Sequence, residues 1–165
     1  MSKAEHQAFS HLSKSLTSFR NVWTIVAVPG PKWAGRILNM EAGEKSEREL
    51  WEKIIPIMRL DTENPVEEWK KHSENLVRRS KTLTELKLDK LVFTAPGTNL
   101  EIGINKTSVW RGGFATGVNG RKFIPNLPTE EVFTTPDFKR TNGKVRVTKP
   151  VKVLETQLYG IWFEF

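Results

Sequence analysis

Cysteine is absent from the 165-residue chain, which excludes disulfides, thiolate metal sites, cysteine nucleophiles and iron–sulfur clusters. Chemistry here must use oxygen or imidazole donors. Histidine is scarce: His6, His11 and His72 are the whole set, and no pair has the HExxH or other two-histidine spacing of a metal site. His6 and His11 lie off a common helical face. His72 falls between Trp69 and Leu76 on an apolar stripe, where a packed, hydrogen-bonded imidazole is expected rather than a ligand. No GxSxG elbow and no phosphate loop ending in Lys-Ser/Thr occurs. No apolar run approaches the roughly 20 residues that span a bilayer; the longest, residues 22–28, stops at Pro29. Residues 1–20 lack the apolar core and cleavage site of a secretory signal, so the expected location is cytoplasmic, with no membrane partner.

What is present is ordinary soluble-globular material, with 38% hydrophobic and 27% charged residues and a net charge of +7. Phe9, Leu12, Leu16 and Phe19 recur at spacings of three and four, which predicts a helix with its apolar stripe on the core. Residues 22–28 are β-rich and apolar on both faces, the pattern of a strand buried on both sides. Ser46-Glu47-Arg48-Glu49 fits a capping box ahead of Leu50, Trp51, Ile54 and Ile55, in a helix that Pro56 should end or bend. Asn64-Pro65 is a strong helix start, and Trp69, Leu76 and Leu83 extend that helix to about residue 86, with Lys70, Arg78, Arg79 and Lys81 outward.

After Lys90 the pattern turns to strands. Leu91-Val92-Phe93 is one, Ala95-Pro96-Gly97-Thr98 a turn, and Leu100, Ile102 and Ile104 alternate with polar residues in a half-buried second strand. Asn142-Gly143 reads as the type I′ turn of a hairpin. The residue pattern alone gives an α/β layer over residues 1–90 and a β-rich portion over 91–165.

Residues 123–137 hold two adjacent carboxylates, Glu130 and Glu131, in what reads as an apolar, proline-bounded strand. Neighbouring side chains of a strand point to opposite faces, so both cannot enter one site without a bulge. One facing inward needs a partner, and a metal ion is a common one; otherwise both lie on solvated edges as surface acids. Residues 138–152 form a rival feature, carrying Lys139, Arg140, Lys144, Arg146, Lys149 and Lys152 without an acid. Such a run attracts phosphate, but no RNA- or DNA-binding motif accompanies it, so a solvated hairpin is expected and nucleic acid is not.

The run Asn126-Leu127-Pro128-Thr129-Glu130-Glu131-Val132-Phe133-Thr134-Thr135-Pro136-Asp137 resembles the signature of the thermophilic aminopeptidase family of metallopeptidases, the aminopeptidase T and S group. Leu50-Trp51, Arg59-Leu60-Asp61, Asn64-Pro65 with Trp69, His72 and Leu76, Gly97-Thr98-Asn99-Leu100, Trp110 with Gly112-Gly113, and Val147-Thr148-Lys149-Pro150 follow that family's order. The resemblance implies an α/β N-terminal domain (1–90) followed by the start of a β-rich (α+β) catalytic domain (91–165), truncated. It implies a dimeric exopeptidase that removes N-terminal residues from peptides with two divalent ions, zinc, cobalt or magnesium. One metal-binding glutamate of the family falls on Glu131, with Glu130 as the alternative, pointing away or supporting it. The family's other ligands lie beyond the matched region, so the chain is expected to be a front portion that binds no ion stably and is inactive alone. The alternative to the enzyme reading is a basic nucleic-acid-binding module or a noncatalytic binding or dimerisation module. Leu158, Ile161, Trp162, Phe163 and Phe165 at the end read as strand residues awaiting a following partner, an edge expected to self-associate.

Overall fold

The computed structural model describes residues 7–153 and 156–165, and the side chain of Lys152 and all of His6 lie outside the described residues. In chain order the elements are α1 (Ser10–Thr17), β1 (Ile25–Val26), α2 (Pro31–Leu38), α3 (Glu44–Ile57), α4 (Pro65–Glu85), β2 (Lys90–Ala95), β3 (Thr98–Ile104), β4 (Arg111–Gly112), β5 (Ala115–Thr116), β6 (Lys122–Phe123), β7 (Asn126–Leu127), β8 (Val132–Phe133), β9 (Pro136–Arg146), β10 (Val151–Val153), β11 (Thr156–Leu158) and β12 (Trp162–Glu164). Among the described residues, all helices precede residue 90 and strands alone follow it. The fold is α/β. The chain divides into two compact units that interleave along the sequence, Met1–Arg78 with Gly112–Val132, and Arg79–Arg111 with Phe133–Phe165.

In the first unit the core is Ala34, Leu50, Ile54 and Met58, with Leu38, Trp51 and Leu127 packed on it. Each large apolar side chain buried there stabilises by about 1.5–3 kcal/mol. The α3 cap starts earlier than the Ser46 box suggests. Gly43 is the N-cap, and the Ser46 hydroxyl accepts its N–H (3.1 Å) and donates to its carbonyl (2.9 Å). Serine thus works from the third helical position, since glycine has no side chain to cap with. Pro56 lies one residue before the helix ends. The α4 start matches the Asn64-Pro65 reading, with Asn64 Oδ1 accepting from the Glu67 N–H at 3.2 Å.

Two expectations in this unit are corrected. α1 exists but buries no residue; its apolar period marks a face that the described residues leave uncovered except near its end, where Phe19 meets the Phe123 ring edge-on at 5.6 Å. The run 22–28 is not a doubly buried strand. Only Ile25 and Val26 are in β1, paired parallel with Asn126 and Leu127, and Ile25 is 62% exposed, because β7 flanks it on one side for two residues.

In the second unit β12, β9, β3 and β2 form an antiparallel sheet in that order. Pro96-Gly97 turns β2 into β3, with Gly97 at φ +77 as a type II turn requires. Leu100 and Ile104 are buried, as the alternation predicts. The Asn142-Gly143 hairpin is not formed: both residues lie inside the continuous strand β9, opposite Glu101 and Leu100. Gly143 takes φ +124, and a Cβ there would run into the Asn99 carbonyl oxygen, so the glycine serves close approach of two backbones rather than a turn. The terminal strand β12 pairs backward with β9, Trp162 opposite Arg146 and Glu164 opposite Lys144, while Trp162, Phe163 and Phe165 remain exposed.

β9 is irregular where it passes Gly103. Its partner register jumps from Thr141 opposite Ile102 to Asp137 opposite Gly103. Three residues of β9 leave the ladder, and the Arg140 side chain fills the gap. Its guanidinium donates to the Asp89 carbonyl (2.8 Å), the Ile104 carbonyl (2.7 Å) and the Asp89 carboxylate (2.8 Å). Glycine is needed opposite, since a Cβ on Gly103 would lie 2.5 Å from Arg140 Cβ. The hydrogen bond from Arg140, then its charge, holds the Asp89 carboxyl below its usual 3.8. A carboxyl depressed in the folded state contributes stability in full above its unfolded value and loses it as pH falls through the folded one. Asp89→Asn should therefore be less stable than the unaltered chain at pH 7, with the gap narrowing below about pH 4. Urea midpoints taken from pH 7 to pH 3 check this, and a gap independent of pH contradicts it.

Candidate functional site

Pro56 cannot donate a hydrogen bond and α3 ends beside it, with Met58 and Arg59 turning the chain. Arg59 sits in the left-handed region at φ +55, a conformation that glycine or asparagine fills at lower cost. Its guanidinium lies over the Trp69 ring, 4.8 Å from the centroid. Trp69 is itself anchored, its buried indole N–H donating to the Met58 carbonyl at 2.7 Å. One turn along α4, His72 packs edge-on against Trp69 with ring centroids 5.5 Å apart.

These side chains converge on residues 129 and 130. Arg59 Nη2 donates to Glu130 Oε1 at 2.7 Å. His72 Nε2 is 2.8 Å from the Thr129 carbonyl oxygen and 3.3 Å from Glu130 Oε2. A carbonyl only accepts and a guanidinium only donates, so the imidazole hydrogen is on Nε2, and Nδ1, 3.4 Å from Arg59 Nη2, is the acceptor. His72 is therefore the packed, hydrogen-bonded imidazole that its place on α4 suggests, its side chain 11% exposed. His11 is exposed on α1.

The stretch after Pro128 is not one strand. Glu130 and Glu131 lie outside any strand, between β7 and β8. Both are exposed, so the inward-turned carboxylate expected of a buried strand is not found in this chain. Their uses differ. Glu130 is engaged by Arg59 and His72. Among the described residues no side chain is hydrogen-bonded or ion-paired to the Glu131 carboxylate; its backbone N–H faces Thr129 Oγ1 at 3.5 Å. The backbone behind it is closely packed: a Cβ on Gly112 would lie 2.7 Å from Val132 Cγ1 and 3.0 Å from the Glu131 carbonyl oxygen. Gly113, at φ +76, sits against the Ser73 carbonyl of α4. The two glycines let three backbone segments meet.

Glu131 fits a divalent ion in kind, as a hard oxygen donor not occupied by another described side chain. In number the set is incomplete: among the described residues no three His, Asp or Glu side chains come together as a metal site. Sequence reasoning quoted Arg59 only as part of a resemblance, read His72 as a packed, hydrogen-bonded imidazole without naming its partners, and missed that both meet Glu130.

The whole chain, residues 1–165, matches the family described as thermophilic metalloprotease (M29). The chain belongs to that family. This M29 chain is 37% identical over 164 residues to aminopeptidase PepS of Streptococcus thermophilus, covering 99% of itself and 40% of that protein. It is 34% identical over 163 residues to aminopeptidase T of Thermus aquaticus, again covering 40% of it. Its fold matches the wild-type AmpT structure from Thermus thermophilus with a TM-score of 0.85 and 33% identity, over 97% of this chain and 39% of that one. The M29 chain thus spans about two-fifths of the length of these relatives.

Trp69→Phe leaves the buried Met58 carbonyl without its donor and should cost about 1–3 kcal/mol, read as a lower urea midpoint at constant slope. Gly113→Ala meets both the positive φ and the Ser73 carbonyl, and should cost more than about 2 kcal/mol by the same measurement.

Proposed function

We propose that this chain is a ligand-bearing part of a metal-dependent aminopeptidase that removes N-terminal residues from peptides, with Glu131 as a metal ligand. The observation that carries the reading is the division between two adjacent acids. Glu130 is taken up by Arg59 and His72, while Glu131, exposed beside it, has no described side chain bound to its carboxylate. Membership of the metalloprotease family and relatives named aminopeptidases support the same assignment. The complete protein is read as a cytoplasmic homodimer using two divalent ions, zinc, cobalt or magnesium. Such ions polarise a scissile carbonyl and make bound water easier to deprotonate near neutral pH.

One carboxylate cannot hold two ions, which need several protein ligands and an open position. Within this chain the roles are narrower. Glu131 presents a charged oxygen, and Arg59 with His72 keeps Glu130 from competing for the same cation. The chain by itself is inactive in this reading.

Release of leucine from a short peptide, measured with zinc, cobalt or magnesium added, tests it. The 165-residue chain should show none. Joined to the remaining segments of aminopeptidase T of Thermus aquaticus, it should show metal-dependent release. In that joined form Glu131→Gln should reduce the rate by more than about 100-fold, beyond the usual effect of altering a group behind a ligand, and Glu130→Gln by less. A joined form inactive with every ion, while the intact Thermus protein is active, sinks the proposal.

A further inference from the structure

Arg59 and His72 belong to segments far from Glu130 in sequence, yet both spend their polar atoms on it and on the preceding carbonyl. Arg59 Nη2 takes Glu130 Oε1 at 2.7 Å. His72 Nε2 takes the Thr129 carbonyl at 2.8 Å. Holding the Thr129 carbonyl and the Glu130 carboxylate restrains the planar peptide between the two residues and the φ of Glu130, and so narrows the directions in which residue 131 can leave. Gly112 then packs closely against the Glu131 carbonyl and Val132. Arg59 is in turn held by Trp69, and Trp69 by the Met58 carbonyl.

We propose that Arg59 and His72 are positioning residues: by gripping Thr129 and Glu130 they set the direction of the Glu131 carboxylate. This rests on the reading of Glu131 as a metal ligand. Neither residue touches substrate or ion in this proposal; both act through the backbone of residues 129–131. The geometry favours this over a role in holding the fold together. Glu130 is 66% exposed, and an ion pair with so exposed a partner adds little stability, whereas its two-point attachment to a guanidinium and an imidazole restricts orientation. Arginine suits the task because its rigid fork keeps one nitrogen on the carboxylate while its face stays on the indole, which a flexible ammonium does not do.

The test uses the 165-residue chain, nitrogen-15 relaxation and added Mn2+ as a paramagnetic probe. In the unaltered chain the backbone order parameters of residues 129–131 should be near about 0.85, and in Arg59→Leu and His72→Leu they should fall below about 0.6, with the α3 and α4 core amides unchanged. His72→Gln, whose amide can donate to the Thr129 carbonyl and accept from Arg59, should restore them. Arg59→Lys should not. Broadening by Mn2+ should centre on residue 131 and weaken at least about threefold in the two leucine variants, returning with His72→Gln. Rescue of both readouts by glutamine is something a purely structural role would not give.

Order parameters that stay high in both leucine variants overturn the positioning role, whatever Mn2+ does. Values already below about 0.6 in the unaltered chain overturn it too. If Glu131→Gln leaves the Mn2+ broadening in place, the ligand reading of Glu131 fails, while the order parameters still decide whether Arg59 and His72 grip the segment.

Discussion

The Arg59 guanidinium is the constraint on which the candidate site depends. It lies over Trp69, donates to Glu130 and faces the bare nitrogen of His72. The magnitudes say what this arrangement is for. A left-handed backbone at a residue with a side chain costs about 1–2 kcal/mol. An exposed ion pair returns about 0–1, and a cation over an aromatic ring about 0.5–1 at such a site. These sum to nearly nothing. The arrangement contributes direction, because a planar fork with fixed donors allows few orientations of the carboxylate it meets.

The second unit uses the same chemistry for a different end. At Arg140 the strand departs from its ladder opposite Gly103, and the guanidinium supplies a donor to the Ile104 carbonyl and adds a second donor to the Asp89 carbonyl, which also accepts the Ile104 N–H at 2.8 Å. Buried or half-buried carbonyls left unpaired are costly. The irregular strand is therefore tolerated only with a long, multiply donating side chain at that position and no Cβ at Gly103. In both units an arginine ties down a segment that has left regular structure, Arg140 through backbone carbonyls and Arg59 through the Glu130 carboxylate.

Much of the secondary structure was legible because its causes are local. Asn64-Pro65 starts a helix through its own side chain and its own missing N–H, and Leu100, Ile102 and Ile104 declare a strand by alternation. The readings that failed are ones whose outcome a distant neighbour decides. The stripe of α1 and the apolar run 22–28 announce apolar faces, but periodicity does not say whether anything covers them. Asn142-Gly143 carries a turn signature, yet the same freedom at positive φ lets two strands approach, and the choice was made by Asn99, some forty residues away, which no local reading contains.

The candidate site was legible as a pair of acids and illegible as a device. Alternation in an extended chain implied that Glu130 and Glu131 point to opposite faces, but neither lies in a strand and both are exposed, so the structure distinguishes them by their partners instead. Which acid serves which environment needed partners: Arg59 comes from the end of α3, His72 from α4 and Gly112 from β4, three places with no periodic relation to residue 130. Two adjacent carboxylates left to themselves would repel each other and compete for one cation. Pairing the first with a guanidinium reduces that repulsion and leaves the second as the stronger unshared charge. The scattered segments that carry the family resemblance have this in common: several of them end on the same short stretch of backbone.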